Sequence, residues 1–235
     1  MSRAPYDGLN VGDLAGDREE DLLRNLNLVK DAFAIPDGRL ILMRQPHGDR
    51  IHVIDEDGPL PEGLPECDGL ITDRPGVALG IRTADCVPLF FVDRTRRVIG
   101  AAHAGWRGTA LSIAARMVAT LTERFSSLPE DILAVIGPAI GPCCYEIDAP
   151  VMAAFSAMPA AGLFSRPCLQ KDRWMVDLAL ATRLQIREAG VPSENIFSAG
   201  LCTACRQDLF FSHRAAGGRT GRQISLIMLR DGGMH

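Results

Sequence analysis

The sequence predicts a mixed α+β fold in which helices lie outside a buried system of β-sheets. Apolar runs with the period of strands and amphipathic stretches with the period of helices both occur along the 235 residues. The two kinds of segment are interleaved irregularly, without the alternation of strand and helix that builds a doubly wound sheet. No internal repeat is present, so a repeat architecture is not predicted.

In the first half of the chain, one helix is followed mainly by strands. Residues 17–34 form an amphipathic stretch with Leu22, Leu26 and Val29 on one face, and Pro-Asp-Gly at 36–38 ends it. Short apolar runs then predict strands at residues 39–45, 51–55, 76–81, 87–93 and 98–106.

The second half of the chain returns to helices and ends on a strand. The apolar spacing after Gly108 predicts one helix that continues to about Phe125. A strand at 132–137 and a turn-rich segment at 137–146 follow it. The remaining predicted elements are a short alanine-rich helix at 150–158, a helix at 176–189 and a buried strand at the end of the glycine-rich segment 210–229.

Composition narrows the class of partner and the compartment. The net charge of -4 lacks the basic excess with which proteins neutralise phosphates, so no nucleic-acid partner is expected. No apolar stretch is long enough to span a membrane, and the polar N-terminus lacks the centre of a signal peptide. Seven cysteines, an odd number in a chain of this size, fit a reducing compartment. We therefore expect a cytoplasmic protein without a membrane partner, acting on a small molecule.

Three residues have the right chemistry for a metal site. His47 stands in Gln-Pro-His-Gly, Cys86 follows Ala-Asp, and His103 begins His-Ala-Gly-Trp-Arg-Gly. One thiolate and two imidazoles suit zinc, with copper as the alternative, and three protein ligands leave a fourth position for water or substrate. The spacing matches no compact metal motif, so packing in the core is the alternative on chemistry alone.

The chain resembles the YfiH-like family, whose members are described as laccase-domain proteins or polyphenol oxidoreductases. The resemblance is carried by the blocks QPHG, DGLITDRPGVALGIRTADCVPLFFVD, AAHAGWRG, IGPAIGPCCYEID and FFSHRAAGGRTGRQISLI. It implies one domain over residues 1–235, with β-layers flanked by helices in an α/β/β/α arrangement. It also implies that His47, Cys86 and His103 are the metal ligands.

The resemblance implies one main activity and two alternatives. The main one is purine nucleoside chemistry, namely phosphorolysis of adenosine, inosine and methylthioadenosine together with deamination of adenosine. The alternatives are a copper-dependent phenol oxidase and a peptidoglycan-precursor editing factor with a structural metal. Family members usually carry a further N-terminal strand with a Thr-Arg-x-Gly-Gly-Val-Ser block ahead of the segment that reads PYDGLNVGD here. We expect the chain to lack that strand, which would affect substrate binding more than metal binding.

Four further residues are candidates for catalysis. Arg107 precedes a predicted helix, where a guanidinium and free amides suit phosphate, and Arg214, Arg219 and Arg222 could add charge. Deamination needs an acid or base, for which Asp85 and Glu146 are candidates. Asp85 could instead orient a ligand histidine. Cys144 could act as a nucleophile beside a base.

The remaining cysteines and histidines receive weaker predictions. Cys143 and Cys144 more often serve packing than catalysis, and Cys202-Thr203-Ala204-Cys205 is predicted to be structural because no second C-x-x-C motif exists in the chain. After the metal ligands, only His52, His213 and His235 remain. That number is too small for the usual trinuclear copper cluster, so the sequence favours transfer or hydrolytic chemistry over multicopper oxidation.

Overall fold

The computed structural model describes residues 1–12, 16–55, 57–158 and 160–230. His235 lies outside them. The strands, in chain order, are β1 (Leu40–Ile41), β2 (Ile51–Ile54), β3 (Gly69–Thr72), β4 (Ala78–Thr83), β5 (Val87–Asp93), β6 (Val98–Ala104), β7 (Ile132–Ile136), β8 (Glu146–Asp148), β9 (Ser165–Pro167), β10 (Arg173–Val176), β11 (Ile196–Ser198) and β12 (Gln223–Met228). The helices are α1 (Glu19–Ala32), α2 (Trp106–Ala110), α3 (Ile113–Phe125), α4 (Ala149–Phe155), α5 (Ala161–Phe164) and α6 (Leu178–Glu188). None of these described helices is long and apolar enough to cross a membrane.

A six-stranded mixed sheet forms the centre of the fold, in the order β11-β7-β5-β6-β3-β2. Strands β5 and β6 are antiparallel neighbours in its middle. Almost every residue of β3, β5 and β6 is buried, which explains why these strands are continuously apolar rather than alternating. The two outer pairs, β11 with β7 and β2 with β3, are parallel.

Two apolar cores lie on the two faces of this sheet. One core joins the sheet to α3 and α6 through side chains such as Phe91, Met117 and Ile186. The other joins it to a three-stranded sheet of order β1-β4-β12, through side chains such as Leu70 and Ile81. Stacked sheets with helices packed outside are the mixed α+β fold that the sequence predicts.

The structure corrects several predicted elements. The single helix predicted from Gly108 to Phe125 is two helices, α2 and α3, because Ser112 between them adopts a left-handed conformation with φ of 60°. The sequence patterns also missed β3 and the short strands β8 to β11. Strands β8, β10 and β9 form a small antiparallel sheet of their own.

Candidate active site

The register of β5 and β6 brings Cys86 and His103 together. Val87 lies opposite Ala104, and Pro88 lies opposite His103. The residues just beyond these strand ends, Cys86 and Gly105, therefore also face each other. His103 is buried on β6, whereas Cys86 is partly exposed at the start of β5.

His47 reaches the same point from the loop between β1 and β2. It adopts a left-handed conformation with φ of 65°, and Gly48 follows it. Gln45 holds this loop against the end of β4, because its side-chain amide donates to the carbonyl of Arg82 at 2.8 Å and accepts from the backbone N–H of Arg82 at 3.0 Å. The imidazole rings of His47 and His103 then meet edge to face, with centroids 4.8 Å apart.

Asp68, directly before β3, holds both histidines. One of its carboxylate oxygens accepts from the backbone N–H of His47 at 3.1 Å and lies 2.8 Å from Nδ1 of His103. The other accepts from the backbone N–H of Gly48 at 2.6 Å. Asp68 is fully buried. A carboxylate in this position favours the proton on Nδ1 of His103 and would leave Nε2 for a metal, which is the usual arrangement around a protein-bound metal.

The three side chains fit a metal ion. Their ligand atoms all lie within 4.8 Å of one another, and the set combines one sulfur with two imidazole nitrogens. Gly105 keeps the space between them clear. A Cβ atom at this position would lie 3.0 Å from Sγ of Cys86 and 3.1 Å from Cδ2 of His47. His47, Cys86 and His103 could therefore hold zinc or copper.

The electrostatics of the site favour a thiolate. Burial raises the pKa of Cys86, but the neighbouring imidazoles of His103 and His47 outweigh it and lower the pKa to about 6. Burial lowers the pKa of His103, but the thiolate of Cys86 and the carboxylate of Asp68 outweigh it and raise the pKa. A cysteine binds a metal ion as the thiolate, so Cys86 is already in the state that binding requires.

The three side chains border a cavity of about 540 Å³. This volume is within the usual range for small-molecule sites. Among its lining residues, positive charge prevails over the single carboxylate of Asp85. The arginines that line the cavity are Arg44, Arg82, Arg107, Arg214 and Arg222.

Asp85, next to the candidate ligand Cys86, has a fixed orientation. The hydroxyl of Thr203 donates to one carboxylate oxygen at 2.6 Å, and the backbone N–H of Arg214 donates to the other at 2.7 Å. The contact with a candidate ligand histidine is thus made by Asp68, and Asp85 instead joins the cavity to two segments from the C-terminal half. Its backbone is left-handed, with φ of 97°.

Comparison with known proteins identifies the family. A family model described as "Multi-copper polyphenol oxidoreductase laccase" matches residues 1–230. The chain belongs to this family. The predicted resemblance is therefore confirmed.

Relatives in this laccase-like family are similar over nearly the whole chain. "Purine nucleoside phosphorylase YlmD" of Geobacillus stearothermophilus is 38% identical over 237 residues, covering 98% of this chain and 86% of the relative. "Purine nucleoside phosphorylase YfiH" of Escherichia coli is 33% identical over 230 residues, covering 97% and 89%. The crystal structure of Bacillus licheniformis hypothetical protein YfiH matches with a TM-score of 0.93 at 39% identity, covering 98% of this chain and 89% of that one. These matches confirm the predicted fold class.

The structure brings some of the predicted catalytic residues to the cavity and places others elsewhere. Asp85 and Arg107 line it with the three candidate ligands. Arg107 lies over the ring of Trp106, 4.3 Å from the ring centroid, so its guanidinium covers one face of that ring. Helix α2, which begins at Trp106, has only five residues, so its dipole is small. Most of the positive charge at the cavity therefore comes from the arginine side chains.

Cys144 and Glu146 are not among the residues lining this cavity. Glu146 begins β8, where its carboxylate lies 4.0 Å from the guanidinium of Arg173. Cys144 lies 3.4 Å from Cys205, sulfur to sulfur. Their catalytic roles stay predictions. Arg219 donates to the hydroxyl of Tyr6 and is likewise absent from the described lining.

Sequence reasoning missed the role of Asp68 and several cavity residues. The sequence offers one signal for Asp68, which stands directly before the apolar residues 69–72. A carboxylate buried beside such a segment needs a hydrogen-bonding partner. Arg44, Arg82 and His213 line the cavity without having been assigned to the site, although each lies within a few residues of an assigned one. Arg82 lies on β4, whereas the contribution of Arg44 and His213 depends on how their loops fold back over the sheets.

Proposed function

We propose that this protein is a zinc-dependent purine nucleoside phosphorylase that acts on adenosine, inosine and methylthioadenosine, and that it also deaminates adenosine. One observation carries the proposal: an arginine-lined cavity opens directly on a set of one thiolate and two imidazoles. Relatives named purine nucleoside phosphorylase align over nearly the whole chain and support the same activity.

Zinc would be held by His47, Cys86 and His103. Two borderline nitrogen ligands and one thiolate suit zinc, and three protein ligands are the usual number in catalytic zinc sites. When bound, the ion would supply Lewis acidity at the edge of the cavity. The chain itself contributes the fixed orientation of the ligands through Asp68, and the free space next to Gly105.

Phosphate would be bound by the arginines of the cavity. Among the described residues, Arg44, Arg107, Arg214 and Arg222 form no salt bridge with a carboxylate, so their charge is available to an anion. Guanidinium groups also bind phosphate through paired N–H donors. Arg107 and Arg214 are held by aromatic neighbours, since they lie 4.3 Å and 5.2 Å from the ring centroids of Trp106 and Tyr145.

In phosphorolysis, a phosphate oxygen forms a bond to C1′ of the ribose while the bond between C1′ and N9 of the purine breaks. The electron pair of that bond leaves with the purine, which takes up a proton, and ribose 1-phosphate is the second product. Positive charge develops on the ribose ring, and the Asp85 carboxylate would stabilise it. The hydrogen bonds from Thr203 and Arg214 hold Asp85 in place.

In deamination, water adds at C6 of the purine and ammonia leaves. Asp85 would take a proton from the attacking water and pass it to the departing amine, which is ordinary general acid–base catalysis. Asp85 adjoins Cys86 in sequence, so this proton transfer would take place beside the metal. Inosine formed in this way could then undergo phosphorolysis in the same cavity.

The test is a product assay on zinc-loaded protein. With phosphate, adenosine should give adenine and ribose 1-phosphate beside the products of deamination, and without phosphate it should give only inosine. Arg107→Gln should raise the KM for phosphate and leave deamination nearly unchanged, whereas Cys86→Ala should abolish both reactions. Arg116→Gln is a matched control, since this arginine pairs with Asp49 and is not part of the described cavity lining. The proposal fails if zinc-loaded protein releases no base from any of the three nucleosides.

The description of the family favours a second candidate, a copper-dependent phenol oxidase. Copper accepts the same three ligands and usually binds them more tightly than zinc does. This function predicts phenol-dependent oxygen consumption that rises with added copper and not with zinc. Of the other histidines within the described residues, only His213 lines the cavity, so the geometry supports the phosphorylase more strongly.

A further inference from the structure

Two pairs of cysteines, distant in sequence, lie side by side at one edge of the central sheet. Strands β7 and β11 are parallel neighbours, so their carboxyl ends meet at the same edge. The chain continues the pairing beyond the strands, where Ala139 bridges to Cys202 in parallel fashion. The loop after β7 carries Cys143 and Cys144, and the loop after β11 carries Cys202 and Cys205.

The four sulfur atoms lie close enough together for a tetrathiolate metal site. All four lie within 4.8 Å of one another. Sγ of Cys205 is 3.5 Å from that of Cys143 and 3.4 Å from that of Cys144. Zinc bound tetrahedrally at about 2.3 Å from each sulfur separates the sulfurs by about 3.8 Å. Side-chain adjustments of less than about 1 Å would therefore complete the coordination.

Packing does not account for this cluster. Buried free cysteines behave as small apolar side chains, but Cys143 and Cys205 are exposed and Cys144 and Cys202 are only partly buried. All four are free thiols. The backbone N–H of Gly141 donates to Sγ of Cys202 at 3.2 Å, a contact that stabilises a thiolate. The missing second C-x-x-C motif is thus replaced in space by the adjacent pair Cys143-Cys144.

We propose that Cys143, Cys144, Cys202 and Cys205 bind a second zinc ion, separate from the ion held by His47, Cys86 and His103. Binding replaces the four thiol protons with one zinc ion, and the protons are released to solvent. Four protein ligands leave no open position, so this site is structural.

The second zinc would stabilise the side of the cavity that carries Asp85. Thr203, which lies between two of the zinc ligands in sequence, donates to Asp85 at 2.6 Å. Arg214, a cavity arginine, donates through Nη1 to the carbonyl of Cys144 at 3.3 Å. The ion would therefore tie together the two loops that position a carboxylate and an arginine of the cavity.

Zinc content is the direct test. Protein purified under reducing conditions, loaded with zinc and desalted should hold two zinc ions per chain. Cys86→Ala should hold one, and the double variant Cys143→Ser/Cys205→Ser should also hold one. Cys168→Ser is the matched control, being a partly exposed cysteine outside both clusters, and should still hold two. Wild-type protein that holds one zinc, lost in Cys86→Ala and kept in the double variant, would overturn the proposal.

Cobalt gives a second measurement that does not depend on activity or on the first site. In Cys86→Ala, added Co²⁺ should produce the strong thiolate-to-cobalt charge-transfer absorption of a four-sulfur site. Zinc should then displace the cobalt and protect four thiols from a thiol reagent. Failure of zinc to protect these thiols, or their isolation as disulfides from freshly reduced, zinc-loaded protein, would show that the cluster is not a metal site.

Discussion

Replacing Asp68 by Asn tests how much of the affinity for zinc depends on the orientation of the histidines. Asp68 accepts three hydrogen bonds, from the backbone N–H groups of His47 and Gly48 and from Nδ1 of His103. Asparagine keeps one acceptor oxygen and replaces the other with an NH₂ group, at nearly the same size. At least one of the three donors then faces another donor.

The size of the effect follows from burial. Asp68 and His103 are both almost fully shielded from solvent, so water cannot replace the lost contact. A hydrogen bond to a charged group contributes about 1.5–3 kcal/mol. Since about 1.4 kcal/mol corresponds to a tenfold change in an equilibrium constant, the zinc affinity of Asp68→Asn should fall by about 10- to 100-fold. Loss of comparable carboxylates behind metal-bound histidines has effects of about this size.

Competition with a chromophoric chelator measures this affinity directly. Asp93→Asn is the control, because Asp93 is equally buried and accepts from backbone N–H groups of Thr95 and Arg96. Asp93 lies at the opposite end of β5 from Cys86, so its replacement should leave zinc affinity within about twofold of wild type. If folded Asp68→Asn binds zinc as tightly as wild type, orientation by Asp68 does not set the affinity.

Three further predictions follow from the same structure. Gly105→Ala should prevent tight zinc binding, because the new methyl group would lie 3.0 Å from Sγ of Cys86. Gly162→Ala is the control, since its methyl group would have no atom within 4 Å, and this variant should bind zinc normally in the same chelator assay. In the metal-free protein, the alkylation rate of Cys86, followed by peptide mass spectrometry, should rise through about pH 6 and be constant above pH 7. The reason is that the pKa of Cys86 is lowered to about 6, and the reactive thiolate forms above that value. Cys67, whose pKa burial raises to about 11, should react slowly throughout. A Cys86 rate that still climbs between pH 8 and 9 would contradict this. Phe91→Ala should lower the free energy of unfolding by about 3–5 kcal/mol in urea titrations, because the fully buried ring fills the core under α3; a loss below about 1 kcal/mol would mean that the core collapses around the gap.

Long periodic segments were predictable because their pattern directly reflects burial. The run 87–93 is β5 to the residue, and the stretch 176–189 contains α6. In contrast, β3 has only four residues between Asp68 and Asp73, and β8 and β9 have three each, too few for a period to emerge. Nothing in the apolar spacing marked Ser112 as the left-handed break between α2 and α3.

The site was predictable only as far as its chemistry is local. His47, Cys86 and His103 stand in unusual local contexts, which carried the family resemblance. The role of Asp68 depends on the antiparallel pairing of β3 with β6, which places Gly69 opposite Ala102 and so Asp68 beside His103. Thr203 lies 118 residues from the carboxylate it contacts. Contacts of this kind depend on how distant segments pair in the fold, so no local sequence pattern predicts them.

The hydrogen bond between Arg214 and Asp85 joins residues 129 positions apart. The three candidate metal ligands all come from the first half of the chain, while Arg214 and Arg222 come from near the end of the described residues. During synthesis, the three candidate ligands therefore leave the ribosome before Thr203 and Arg214, the two residues that hold the carboxylate of Asp85. A chain that stops short of Arg214 would lack both this hydrogen bond to Asp85 and the positive charges that Arg214 and Arg222 bring to the cavity.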